Sequence, residues 1–292
     1  MKAFLFEQYG YYPNHMENNS FVIDNWEFRL LQTNLTSETI INLENYAAII
    51  RENFDNLGPF IIKTRTGNLE SWFDNRKYVL VSVFRSSVSL QDLNKFHCLL
   101  KEPSEKMDLN NLINIWKEKT TLIEQSGVTS LRIDSSVYDS NLAISMYILG
   151  MCHNAVQYLS EIILDYGESE DSLCVTHMRL NTLNSFDFFN PFNMVLDHPI
   201  RDLIELCKNG QLQCEELIEI LRYYNLNTKT ASLMMARVMY PAKIIDQLED
   251  NVYTNNPKIK LTYNIEKEFM RIKNIYTHLL NEYKIRPINW LS

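Results

Sequence analysis

An α+β architecture of two lobes, a small mixed one over residues 1–86 and a larger, mainly helical one over 87–292, follows from three observations. Short runs rich in aromatic and β-branched residues, punctuated by Asn, Asp, Gly and Pro, fill most of the first eighty-odd positions. After Arg85 the apolar residues recur at helical spacing. One stretch, residues 173–197, interrupts that helical part with two short strand-like runs around a polar loop.

The elements follow in order. FVIDNWEFRLLQ (Phe21 to Gln32) reads as two strands turning at Asp24-Asn25. Thr36 or Ser37 offers a hydroxyl to cap a helix carrying Glu38, Ile41, Glu44, Ala48 and Arg51, and Gly58-Pro59 closes that region. FIIKTRTGNLE and RKYVLVSVFR predict a further strand pair, with WFDN at the turn between them. The small lobe is therefore expected to hold short strands around a single helix. SLQDLNKFHCLL opens the helical part and Pro103 interrupts it. Asp108 caps the next helix, where Leu109, Leu112, Ile113, Trp116 and Ile123 keep helical spacing. From Asp139 to Tyr166 a long helix carries Leu142, Met146, Leu149, Val156, Leu159 and Ile163, and Gly167 follows as its C-cap. Strands are predicted around Leu173 to Thr176 and Met194 to Leu196. The last helix lines up Ile265, Phe269, Ile272, Tyr276, Leu279 and Tyr283.

Composition narrows the function classes. A net charge of -8 argues against nucleic acid as a default partner, because such a surface repels phosphates. No apolar run reaches the eighteen or so residues of a membrane span, and MKAFLFEQYG, with its early Glu7, predicts no signal peptide. Five cysteines without a C-x-x-C spacing fit reduced, buried thiols in a cytosol. The seven glycines form neither G-x-G-x-x-G nor G-x-x-x-x-G-K-[ST]. Gly10 is the one glycine placed to bring backbone amides near a phosphate at the first hairpin.

The chemistry-bearing residues cluster in the interrupted stretch. Kinase-type phosphotransferases place a histidine two residues before a catalytic aspartate, an asparagine seven after that histidine, and a metal-binding aspartate later. Here His177 is followed by Asn184 at the seventh position and Asp197 at the twentieth, while Arg179 stands where the aspartate belongs. A guanidinium stays protonated and cannot act as a base. Arg179 could bind a phosphate or pair with a carboxylate, Asp197 among them. Asn184 and Asp197 are the candidate metal ligands. Arg29 on the second strand and Glu44 on the following helix are candidates for a nucleotide-positioning ion pair; the alternative is a solvated surface pair. Lys63 is a weaker candidate. Cys174 with His177 makes a poor dyad, since a strand and a loop need not bring them together. His97 reads as helix packing, and Arg201-Asp202 as organisers of the loop.

With these residues in view, the chain resembles the aminoglycoside-phosphotransferase and choline-kinase-like group, and within it the spore coat kinase-like proteins of the YutH and CotS type. The resemblance rests on KFHCLL, on THMRL with LDHPIRDLIEL, on ARVMYPAKIIDQLED and on the closing INWLS, in that order. It is strongest from about residue 174 onward. It implies a bilobal protein-kinase-like fold in spore-forming bacteria, a protein made in the mother-cell cytoplasm and associated with the spore coat, and coat proteins as partners. Active members use ATP and Mg2+. Residue by residue, His177, Asn184 and Asp197 keep the family's positions and Arg179 does not. Two readings stay open: a catalytically degenerate protein with a structural or interaction role in the coat, and an ATP- and Mg2+-dependent phosphotransferase acting on a small molecule or coat protein, with Asp187 as a relocated carboxylate.

Overall fold

The computed structural model describes residues 1–55, 57–127, 138–170, 172–254 and 263–292. They divide into two compact units, Met1–Glu102 with Cys174–Gln211, and Pro103–Leu173 with Leu212–Ser292. The expected boundary after residue 86 falls inside the first unit, which takes in both the mixed segment and the interrupted stretch.

The first unit is built on a five-stranded antiparallel sheet. Its strands are β1 (Ser20–Ile23), β2 (Trp26–Gln32), β3 (Phe60–Ile62), β4 (Ser71–Phe73) and β5 (Arg76–Phe84). The order is β1-β2-β5-β3, with β4 also pairing β5. The hairpins turn at Asp24-Asn25 and Asp74-Asn75, as the sequence predicts. Asn18, Asn19, Asp24, Asp74 and Asn75 all take positive φ. In a chain so poor in glycine, Asn and Asp supply the left-handed turns, because their short polar side chains tolerate that region.

Two helices, not one, accompany the sheet. The helix over Ser37–Asn53 (α2) is capped by the Thr36 hydroxyl, but an unforeseen helix, α1 (Lys2–Tyr9), precedes the strands. Phe4, Leu5 and Tyr9 of α1 pack with Phe21, Phe28, Leu30, Tyr78 and Leu80 on one face of the sheet. Gly10, at φ 84°, is the C-cap of α1 and lies under the Arg65 guanidinium. It caps a helix and takes no part in the first hairpin. The unit continues through α3 (Leu90–Leu99), closed at its start by a capping box in which Ser89 and Asp92 satisfy each other's backbone amides. Ser89→Ala is expected to lower stability by about 1 kcal/mol, read from urea unfolding.

The second unit is helical. It comprises α4 (Leu109–Leu122), capped by Asp108, and the long α5 (Tyr138–Tyr166), after which Gly167 at φ 85° donates its N–H to the Ile163 carbonyl. A two-residue strand pair joins β6 (Met107–Asp108) to β7 (Ser169–Glu170). After the first unit's β8 (Cys174–His177), α6 (Ser185–Phe189), β9 (Met194–Asp197) and α7 (Ile200–Lys208), the second resumes with α8 (Cys214–Leu221), α9 (Thr228–Met239), α10 (Ala242–Thr254) and α11 (Ile265–Tyr283). Residues 230–239 of α9 are all buried, so this is its central helix. In α11 the buried positions are Ile272, Ile275, Tyr276 and Leu279, four of a 3.6-residue stripe. Trp116 and Tyr240 stack with centroids 4.2 Å apart. All five cysteines are free thiols, and no helix among the described residues is long and apolar enough to cross a membrane.

Candidate functional site

The interrupted stretch is a strand–loop–strand unit. β8 pairs antiparallel with β9, with His177 opposite Met194 and Cys174 opposite Asp197. His177 therefore sits at the loop end of the pair and Asp197 at the far end. Three strand residues separate those levels, roughly 10 Å at 3.3 Å per residue.

His177 is wholly buried and anchors the loop. Its Nδ1 donates to Asp202 Oδ2 (2.7 Å), its Nε2 to the Phe188 carbonyl (2.7 Å), and its backbone N–H to Asp202 Oδ1 (3.0 Å). Both ring nitrogens face acceptors, so both carry protons and the ring is an imidazolium. Burial works against that charge, but the charge and hydrogen bond of Asp202 and the Phe188 carbonyl outweigh it, and the His177 pKa is raised. Asp202 is just as buried. Desolvation alone would raise its carboxyl, yet His177 and His97 hold it well below the usual range. His97 Nε2 lies 2.9 Å from Asp202 Oδ2, so α3 joins the same network. Phe96 stacks on the His177 ring at 5.1 Å and 24°. His97, expected to be packing, is thus a polar partner of the loop anchor, and Asp202 is the hub.

The remaining candidates are held in other engagements. Arg179 donates from Nη1 to the Met178 carbonyl (2.8 Å) and approaches Glu205 of α7 at 3.9 Å. The loop backbone around it is clamped by Asn193, which accepts from the Arg179 N–H (3.3 Å) and donates to its carbonyl (2.8 Å). Asp197 is met by Arg201, at the i+4 spacing on the turn into α7. Its Nη1 lies 2.6 Å from Asp197 Oδ2 and its Nη2 donates to the Met178 carbonyl at 2.9 Å. Asp197 Oδ1 accepts from the His198 N–H at 2.7 Å, and the side chain is buried.

Asn184 caps α6. Its Oδ1 accepts from the Asp187 N–H (2.8 Å), and its Nδ2 donates to Asp187 Oδ2 (2.8 Å). Asp187 also accepts from the Thr182 hydroxyl at 2.9 Å. A bound magnesium needs open oxygen ligands. Asp197 faces a guanidinium, and Asn184 directs its oxygen at a helix N-terminus. Among the described residues no group of three His, Cys, Asp or Glu could hold a metal. Asn184 and Asp197 both hold protein partners in this structure.

Arg29 and Glu44 each pair with another residue. Arg29 lies 2.7 Å from Glu27, its neighbour two along β2, and places its guanidinium 3.9 Å over the Phe186 ring. Its Nη1 is 3.9 Å from Asp187 Oδ1. Glu27 is shared with Arg85 at 3.3 Å. Glu44 pairs instead with Arg51 of its own helix at 2.7 Å and accepts from the Ile61 N–H. Same-face neighbours win because they need no long-range placement. Cys174 is buried, and desolvation pushes its thiol pKa up, the opposite of an activated nucleophile.

The family described as "Spore coat putative kinase YutH" matches residues 2–283. Among solved structures, an aminoglycoside phosphotransferase from Alicyclobacillus acidocaldarius subsp. acidocaldarius DSM 446 is similar with a TM-score of 0.53 at 9% identity, over 89% of this chain and 87% of that one. The spectinomycin phosphotransferase APH(9)-Ia, solved with ADP and spectinomycin, is similar with a TM-score of 0.55 at 12% identity, over 94% and 92%. At such identities the likeness is one of fold, and the fold is kinase-like. No curated protein matches the chain in sequence.

Proposed function

The chain belongs to the YutH family of spore coat kinase-like proteins, and on that footing we propose that it is a catalytically degenerate member with a structural or interaction role in the spore coat. The observation that carries the reading is the bridge made by Arg201. A permanent cation joins Asp197 to the loop carbonyl of Met178, in the place where a phosphotransferase keeps a carboxylate open to metal. Arg179 at the position of the base and Asn184 locked into a helix cap support the same conclusion. The protein would be made in the mother-cell cytoplasm, and its partners would be other coat proteins.

The ATP-dependent alternative draws on the ADP named with APH(9)-Ia and would need Asp187 as its base. That carboxylate already accepts hydrogen bonds from Thr182 and Asn184 and lies 3.9 Å from Arg29, so its oxygens are engaged by protein donors rather than open to an acceptor hydroxyl.

The test is genetic and biochemical together. Sporulating cells carrying Asp197→Asn or Arg179→Ala should incorporate the protein into the coat as the unaltered chain does, at equal protein level. The purified chain should transfer no phosphate from ATP. Phosphate transfer that disappears in Asp197→Asn would overturn the reading.

A further inference from the structure

The second unit holds a pocket that plays no part in the kinase-like site. It opens between α5 and the C-terminal segment 285–292 and has a volume of about 180 Å3. That is the space of roughly six waters at ~30 Å3 each. Asn154, Gln157 and Glu161 line it from successive turns of α5, buried Tyr158 lies among them, and Asn289 with Trp290 forms the facing wall.

The wall is fixed rather than draped. The Tyr158 hydroxyl donates to the Arg286 carbonyl (3.1 Å), and the Ile288 N–H donates to the Tyr276 hydroxyl (3.0 Å). The Leu291 N–H returns to the Ile288 carbonyl (3.0 Å). The one carboxylate lining the pocket is already answered, since Glu161 lies 3.1 Å from Arg286 Nε and accepts from the Gln157 amide at 3.3 Å. The side-chain amides of Asn154 and Asn289, by contrast, bond to no other described residue. The Trp290 indole is two-fifths exposed.

Planar amides offer a donor and an acceptor side by side, as neighbouring ring hydroxyls do in reverse. An indole face suits a patch of C–H groups. An ion-paired carboxylate gives no reason to demand a charged ligand. We propose that this pocket binds a neutral pyranose sugar, its C–H face on Trp290 and its hydroxyls on the amides of Asn154, Gln157 and Asn289. A uronic acid is refused, because its carboxylate would meet Glu161 and Asp165, two carboxylates that share the single Arg286 cation. The proposal is independent of whether the first unit binds nucleotide.

Saturation-transfer NMR on the full chain tests it, with glucose, galactose, N-acetylglucosamine and glucuronate at about 10 mM, above the ~millimolar dissociation constant expected of so small a ligand. At least one neutral sugar should show transfer, and glucuronate none. Asn154→Ala, a change on the half-exposed side of α5, should cut the signal at least fivefold; Trp290→Ala should do the same and Trp290→Phe should keep it. No transfer from any neutral sugar, or transfer untouched by Asn154→Ala, overturns the proposal.

Discussion

Asp202→Ala is expected to lower the unfolding free energy by about 3–5 kcal/mol. The carboxylate is fully buried and accepts from the His177 ring, the His177 backbone and the His97 ring. Removing it strands a buried imidazolium opposite the Phe188 carbonyl and leaves a second histidine without its acceptor. His177 must then lose its charge or keep it without the Asp202 carboxylate, and both outcomes cost free energy that an exposed ion pair would not. Urea unfolding followed by circular dichroism measures it. A loss below about 1 kcal/mol would mean that the loop is held mainly by Phe96, Phe188 and the β8–β9 pairing.

Stability should also fall as pH rises above neutrality, and His177 is the cause. Its pKa is raised in the folded protein, so its contribution is fully present below the unfolded value near 6.5 and is lost as pH climbs through the folded value. Within that window the native chain holds one proton more than the unfolded chain. Stability then drops by up to about 1.4 kcal/mol per pH unit. Asp202 runs the other way: its lowered carboxyl contributes above the unfolded carboxylate pKa and fails only in strong acid. Unfolding midpoints between pH 6 and 9 should therefore fall in the unaltered chain and stay nearly flat in His177→Gln. Equal slopes in the two proteins would assign the effect to other groups.

Much of the fold was legible in the sequence because its signals are local. Asp24-Asn25 and Asp74-Asn75 mark hairpins by their own turn chemistry, Thr36 and Asp108 cap by their own oxygens, and Gly167 ends α5 by its own φ. The helix α1 escaped because KAFLFEQY lacks a one-sided stripe: Phe6 is exposed while Phe4 and Leu5 are buried beside it. The site was legible in position but not in partnership. His177, Asn184 and Asp197 could be placed on a strand–loop–strand unit from spacing alone. That Arg201 meets Asp197 depends on the turn into α7, although its i+4 spacing was visible. That His97 reaches Asp202 across 105 residues could not be read from any window of the chain. Arg29 and Glu44 teach the same point, since each residue found a same-face neighbour, Glu27 or Arg51, already present in its own element.

The central claim, a kinase scaffold without a working metal site, is tested most directly by thermal shift with millimolar ATP, with and without Mg2+, on the unaltered chain and on Asp197→Asn. A ligand that binds the folded state at a hundred times its dissociation constant adds about 2.7 kcal/mol, enough to move the midpoint by several degrees. The account predicts no magnesium-dependent shift in either protein. A shift of several degrees that requires magnesium and vanishes in Asp197→Asn would contradict it.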